Sequence, residues 1–291
     1  MSFRKPILVG EVASCTCNII FTSPQSILVE VVVHSEDLQK GGETKITNTG
    51  WLWYVTICPT CECPTKSDWK MTPVPQLPMP KDESEIMKYN KAKEKYEKRK
   101  ASSQSSGLDL LDAKESDSEF ETFKQQYTIP DKGRTPSESE QVLCQMVLPG
   151  DCGKDKVAFG GFVMKLMDNS AGCSAWRHCR TNVVTVAISD MDFTSWVRLG
   201  DLCTIRSKVV FVSSKSIEVE VVASTASAIL SNESSDTIVA KGLFTFVSLD
   251  SDGKVLPIPK LRLDTDEDFR KAFAGNKRYL AAKKARQQGS S

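Results

Sequence analysis

A twelve-residue segment occurs twice in this chain, and its two positions constrain the fold more than any composition does. FTSPQSILVEVV from Phe21 to Val32 is echoed by FVSSKSIEVEVV from Phe211 to Val222, an offset of 190. The echo extends to both sides. Gly10 and Glu11 answer to Gly200 and Asp201, GWLWYVTI from Gly50 to GLFTFVSL from Gly242, and PVPQL from Pro73 to PIPKL from Pro257. Each copy runs on into a charged tail that reads as a helix. A period this long is that of a duplicated domain, since a solenoid unit is far shorter. The segment from Gln141 to Phe193 has no counterpart ahead of Met1. Only the second copy is therefore expected to be a whole domain.

With 291 residues the chain has room for about two domains of ordinary size and a linker. The formal net charge of +1 provides no whole-chain field for nucleic acid or an anionic membrane, so an anionic ligand must be held by local charges. No apolar run approaches the ~20 residues of a spanning helix, and MSFRKPILVGEV lacks the parts of a signal peptide. The expectation is a soluble protein of the cytoplasm, with the mitochondrion as an alternative. The 10 cysteines are read as reduced thiols. Cys144, Cys173 and Cys203 fall in apolar patterns, where a thiol behaves as a small hydrophobe.

The second copy opens with an apolar strand, Gln141 to Leu148, closed by Pro149 and Gly150. Gly160 and Gly161 then introduce a helix of about 18 residues whose Val163, Leu166, Met167, Ala171 and Ala175 recur at helical spacing. From Asn182 the period becomes two, with Val184, Val186 and Ile188 predicted on one face and Thr185, Ala187 and Ser189 on the other. Three more strands follow, near 201–212, 216–226 and 238–249. One long helix against an antiparallel sheet is an α+β arrangement. The first copy supplies only the last three strands, near 11–22, 26–35 and 44–57, with Ile19, Phe21, Ile27, Val29, Val31 and Trp53 on apolar faces that must find a cover. The predicted domains are 1–80, a partial copy; 81–135, a charged helix from Asp82 to Lys100 anchored by Ile86, Tyr89 and Tyr96, then a flexible linker from Ala101 to about Glu121; 136–262, a complete copy; and 263–291, a second charged helix.

The chain has two histidines. His34 ends a strand, and His178 is read as a cation in the last turn of the long helix, where it favours the dipole. Nothing resembles a nucleophile triad, a GxSxG elbow or a phosphate loop. The most pointed feature is the pair Gly160 and Gly161 with Asp168 two turns further on. Glycines at a helix entrance let a carbonyl approach unpaired N–H groups. A carboxylate on the same stripe can activate water. A plain tight turn with Asp168 solvated or paired to Lys165 fits the same spacing. Cys58, Cys61 and Cys63 have CxxC spacing, but a metal would need a fourth ligand and Pro64 opposes the helix a redox motif requires. Incidental loop thiols are the simpler account. Lys215 and Ser216 lie in a hairpin turn where a phosphate or merely solvent can be met.

Taken together, GGFVMKLMDNSAG from Gly160, WRHCRTNVVTVAISDMDF from Trp176, RLGD from Arg198, FVSSKSIEVEV from Phe211, FTFVSL from Phe244 and LPIPKL from Leu256 resemble the tandem hot-dog acyl-CoA thioesterases. The resemblance spans the second domain with its tail, and the strands and tail of the first copy. It implies a hot-dog fold, a long helix wrapped by an antiparallel sheet, repeated in tandem with the first copy N-terminally incomplete. It implies hydrolysis of fatty acyl-CoA to fatty acid and CoA by carboxylate-activated water, with no cofactor beyond the coenzyme A of the substrate, no metal, and a homo-oligomer formed by hot-dog pairing. By the same resemblance, Asp168 is the catalytic aspartate and Gly160 and Gly161 face the thioester carbonyl. Phe159 stands in the substrate-binding entrance where the family has histidine. Gly153 stands where a polar loop residue is usual. Ser213, Lys215 and Ser216 fall near the CoA phosphates. The family's asparagine partner of the aspartate comes from a first-domain loop that this chain does not contain, and losing one such group typically costs ~10² to 10³ in rate. The alternative expectation is a hot-dog protein that binds acyl-CoA or assembles with other subunits without turnover.

Overall fold

The computed structural model describes residues 1–38, 41–56, 72–102, 117–130, 132–227 and 236–288. Contacts divide the chain into two units, Met1–Gly107 and Leu108–Ser291.

In the first unit, β1 (Ser2–Phe3), β2 (Val12–Thr22), β3 (Ser26–Glu36) and β4 (Thr44–Val55) form an antiparallel sheet in the order β2-β3-β4-β1. Helix α1 (Glu83–Ser102) follows. Asp82 caps it, its carboxylate accepting the N–H groups of Ser84 at 3.0 Å and Glu85 at 3.2 Å, as the unpaired first-turn donors require. The sequence offered these strands no helix of their own. The structure corrects that for one face, because α1 lays Ala92 against Phe21 and Leu28, flanked by Trp51, Trp53, Tyr89 and Tyr96. Phe21 meets Tyr89 and Tyr96 at ring separations of 5.3 and 5.6 Å. Two of the predicted anchors are thus contact residues. The opposite face carries Ile19, 50% exposed, and the half-buried Ile27, Val29 and Val31.

In the second unit, β5 (Gln141–Met146), β6 (Asn182–Phe193), β7 (Asp201–Val212), β8 (Ile217–Ser227) and β9 (Thr237–Leu249) are antiparallel in the order β6-β9-β8-β7-β5. The alternation in β8 shows why. Ile217, Val219, Val221 and Ala223 are fully buried on one face, while Glu218 and Glu220 on the other reach charged partners. Against the apolar face lies α3 (Gly160–Cys179), which buries Val163, Leu166, Met167, Ala171 and Ala175 as the helical period predicts. Three hydroxyls tie it to the sheet: Ser170 and Ser174 meet the Ser207 hydroxyl at 2.7 and 2.8 Å. Buried hydroxyls require such mutual pairing.

The outer face of that sheet takes α4 (Asp266–Gln288), capped by Thr265, whose hydroxyl accepts the Asp268 N–H at 3.1 Å. Residues 117–121, read from composition as linker, belong instead to helix α2 (Asp117–Gln126). Phe120 and Phe123 lie one turn apart and pack on Phe273, so two aromatics in a polar run suffice to seat the helix.

Two further expectations are corrected. His178 is buried, not a solvated cation. Burial lowers its pKa, outweighing the hydrogen bond between Nε2 and the Pro259 carbonyl at 2.8 Å, which acts to raise it. Of the three cysteines placed in apolar patterns, Cys203 is buried, but Cys144 and Cys173 are exposed on the faces that point away from the core. All seven cysteines among the described residues are free thiols.

Candidate functional site

Helix α3 and strand β6 run antiparallel, joined by a short turn in which Arg180 takes the left-handed conformation at φ 59°. Between them opens a cleft of about 360 Å³, lined on the helix by Asp168, Asn169, Gly172, Cys173 and Trp176 and on the sheet by Asn182, Val183, Thr185 and Phe246. The helical residues are spaced i, i+4, i+8 and so form one stripe, ~12 Å long from Asp168 to Trp176. Asp168, Asn169 and Thr185 stand at one end and Asn182 at the other, with Phe246, Gly172, Val183 and Trp176 as the apolar lining.

Asp168 is half-buried, and Thr185 Oγ1 donates a hydrogen bond to its Oδ1 at 2.8 Å. Burial pushes the carboxyl above its usual range, while the threonine hydroxyl, which stabilises the anion, pulls it back. The result is a carboxylate held in one rotamer, with a raised proton affinity, at the head of an open cleft. That is the chemistry of a general base.

Thr185 is the residue that sequence reasoning missed. Strict alternation puts it opposite Val184, Val186 and Ile188. The register shows otherwise: Thr185 pairs with Phe246 and Ile188 with Phe244, three residues on one strand against two on the other. This bulge inserts one residue, so Thr185 and Ile188 both face α3 while Val184 is 36% exposed. The alternation from Val184 to Ser189 is unbroken in the sequence, so the bulge shows only in the pairing with β9.

The other predicted residues lie elsewhere. Gly160 and Gly161 form the first turn of α3, where N–H groups have no acceptor within the helix, and Phe159 precedes them with no side-chain cap. Gly161 has open space where a Cβ would stand, and Phe159 is 59% exposed. They sit ~10 Å along the axis from Asp168 and outside its cleft. Ser213, Lys215 and Ser216 form the β7–β8 turn. There the Ser213 and Ser216 hydroxyls bond each other at 2.7 Å, and Ser213 Oγ accepts the N–H groups of Lys215 and Ser216. The serines build the turn, and Lys215 carries its exposed charge. Cys58, Cys61 and Cys63 lie outside the described residues. Among the described residues no three His, Cys, Asp or Glu side chains gather as metal ligands, and no helix is long and apolar enough to cross a membrane.

Residues 155–228, from the loop before α3 through β8, match the Thioesterase superfamily. The rat cytosolic acyl coenzyme A thioester hydrolase is 33% identical over 285 residues, covering 98% of this chain and 69% of its own length. The human cytosolic acyl coenzyme A thioester hydrolase is 32% identical over the same shares. An uncharacterised acyl-CoA thioester hydrolase of Bacillus subtilis is 34% identical over 132 residues, 45% of this chain and 75% of that protein. The tandem repeat, the helix wrapped by an antiparallel sheet and this likeness along nearly the whole chain agree: the chain belongs to the tandem hot-dog acyl-CoA thioester hydrolases.

Proposed function

We propose that this chain hydrolyses fatty acyl-CoA thioesters to fatty acid and CoA, with Asp168 as the base that activates water. The observation that carries this reading is the Asp168 carboxylate, fixed by Thr185 at the head of an apolar-lined cleft. The carboxylate takes a proton from water as its oxygen attacks the thioester carbon. The carbon–sulfur bond then breaks, and the departing CoA thiolate recovers a proton from Asp168. No covalent intermediate is required, because the nucleophile is water.

The N–H groups of Gly160 and Gly161 are the natural donors for a carbonyl oxygen that gains negative charge. At ~10 Å from Asp168 along the same helix they serve a different thioester from the one Asp168 attacks. A second hot-dog unit must then supply the missing half of each site, which we assign to a further copy of this chain in a homo-oligomer. Phe159 borders the glycine entrance and contacts substrate there. The register row Thr185, Phe246, Ile217, Val212 crosses the sheet from the cleft to the β7–β8 turn. Lys215 lies two residues beyond that row, and we assign its charge to the CoA phosphates. The site of action is the cytoplasm, in line with the word cytosolic in the names of the mammalian relatives.

The test is turnover of palmitoyl-CoA by the purified chain, followed as loss of thioester and matched appearance of fatty acid and CoA. Tight binding of the thioester with no turnover would replace this reading with that of a non-catalytic acyl-CoA binder.

A further inference from the structure

We propose that Gly172 sets the length of acyl chain this enzyme accepts. The inference rests on the function proposed above: if Asp168 attacks the thioester carbon, the acyl group begins at Asp168 and needs an apolar path away from it. The cleft between α3 and β6 holds one such path. The stripe Asp168, Gly172, Trp176 forms one wall, Val183 and Phe246 form the other, and the groove runs ~12 Å. Gly172 sits midway. A Cβ built there points across the groove and comes within 3.8 Å of the Phe246 ring, ordinary contact, so one carbon fits and a branched side chain would bridge the two walls. Phe246 cannot yield, being 2% exposed. Trp176, 48% exposed and overlaid by the Arg180 guanidinium at 4.7 Å, marks the far end. A chain short enough to stop before Gly172 is indifferent to what stands there, whereas a longer one must pass it.

The experiment measures binding, so that it does not depend on turnover. S-alkyl-CoA thioethers, which cannot be hydrolysed, are titrated by calorimetry into the full chain with ethyl, butyl, octyl and dodecyl groups. Wild type is expected to bind more tightly by about fourfold for each methylene the groove covers. Gly172→Ala should follow the same progression. Gly172→Leu should bind the ethyl compound as wild type does and lose at least tenfold on the octyl and dodecyl compounds. Because Gly172→Leu can disturb folding, Trp176→Ala is the second variant. Its residue is half exposed, and dodecyl affinity should fall with ethyl affinity unchanged. Two results overturn the proposal while leaving the proposed function standing: wild-type affinity independent of chain length, or a Gly172→Leu variant that keeps the wild-type progression. Failure of wild type to bind any S-alkyl-CoA would overturn both.

Discussion

Glu30 and Glu220 stand 190 residues apart and do the same work in two units. Glu30 receives Lys88 of α1 at 2.7 Å, and Glu220 receives Lys271 of α4 at 2.6 Å. The correspondence is detailed. Phe21 packs on Tyr96 as Phe211 packs on Tyr279. Ser23 and Ser26 close one hairpin with the hydrogen bonds that Ser213 and Ser216 use in the other. Each long strand bulges at the same place, between Ile19 and Phe21 and between Val209 and Phe211. Even the turn before it is shared: Glu11 accepts the Leu8 N–H as Asp201 accepts the Arg198 N–H. The difference is on the other face of the sheet. In the second unit Val209, Ile217 and Val219 are fully buried beneath α3, whereas in the first Ile19 is 50% exposed and Ile27 and Val29 are half-buried. The outer helix is thus the repeated structural element. Asp168 and Thr185 stand on the inner helix and its strand, so the candidate chemistry belongs to what the units do not share.

The largest expected effect breaks that contrast if it is wrong. Met167, wholly buried on α3, should cost ~2 to 5 kcal/mol when cut to alanine. Ile19→Ala should cost about 1 kcal/mol, because half the side chain already meets water. Urea unfolding of the two variants measures both. Equal losses would mean that the first unit's inner face is as buried in solution as the second's.

Smaller effects are expected on the face the units share. Ala92 lies fully buried under Phe21, while the matching Gly275 has no room: a Cβ there would stand 2.4 Å from Phe211 Cβ. Gly275→Val should therefore lose ~1 to 3 kcal/mol through overpacking. Ala92→Gly should lose about 1 kcal/mol through helix propensity. A neutral Gly275→Val would show that α4 seats more loosely than α1.

Much of this was legible in the residues. The duplication, the strand positions and the buried stripe of α3 follow from local periodicity and spacing, whereas the family resemblance singles out Asp168 as a base, its spacing fitting a plain turn as well. What stayed hidden depends on contacts between distant segments. The bulge that turns Thr185 toward Asp168 is a property of β6 paired with β9, which the alternation of β6 alone does not contain. His178 lies below its usual pKa because the core removes its water, against the pull of the Pro259 carbonyl, 81 residues away, whose hydrogen bond raises it. The separation of Gly161 from Asp168 was a matter of distance. Seven residues put two groups on one stripe, yet leave them ~10 Å apart.

The smallest change concerns the acidity of Asp168. Removing the threonine hydroxyl in Thr185→Val leaves burial alone to act on the carboxyl, so its pKa rises further. Activity depends on the ionised form. The acid limb of kcat/KM should move to higher pH, with a fall of about tenfold on that limb and little change on the alkaline side. A fixed limb would remove Thr185 from the site.

The proposed hydrolysis turns on Asp168. Steady-state hydrolysis of palmitoyl-CoA by wild type and Asp168→Asn, followed through thioester absorbance, should differ by ~10² to 10⁴ in kcat with thermal stability unchanged. Equal rates in the two proteins would contradict it.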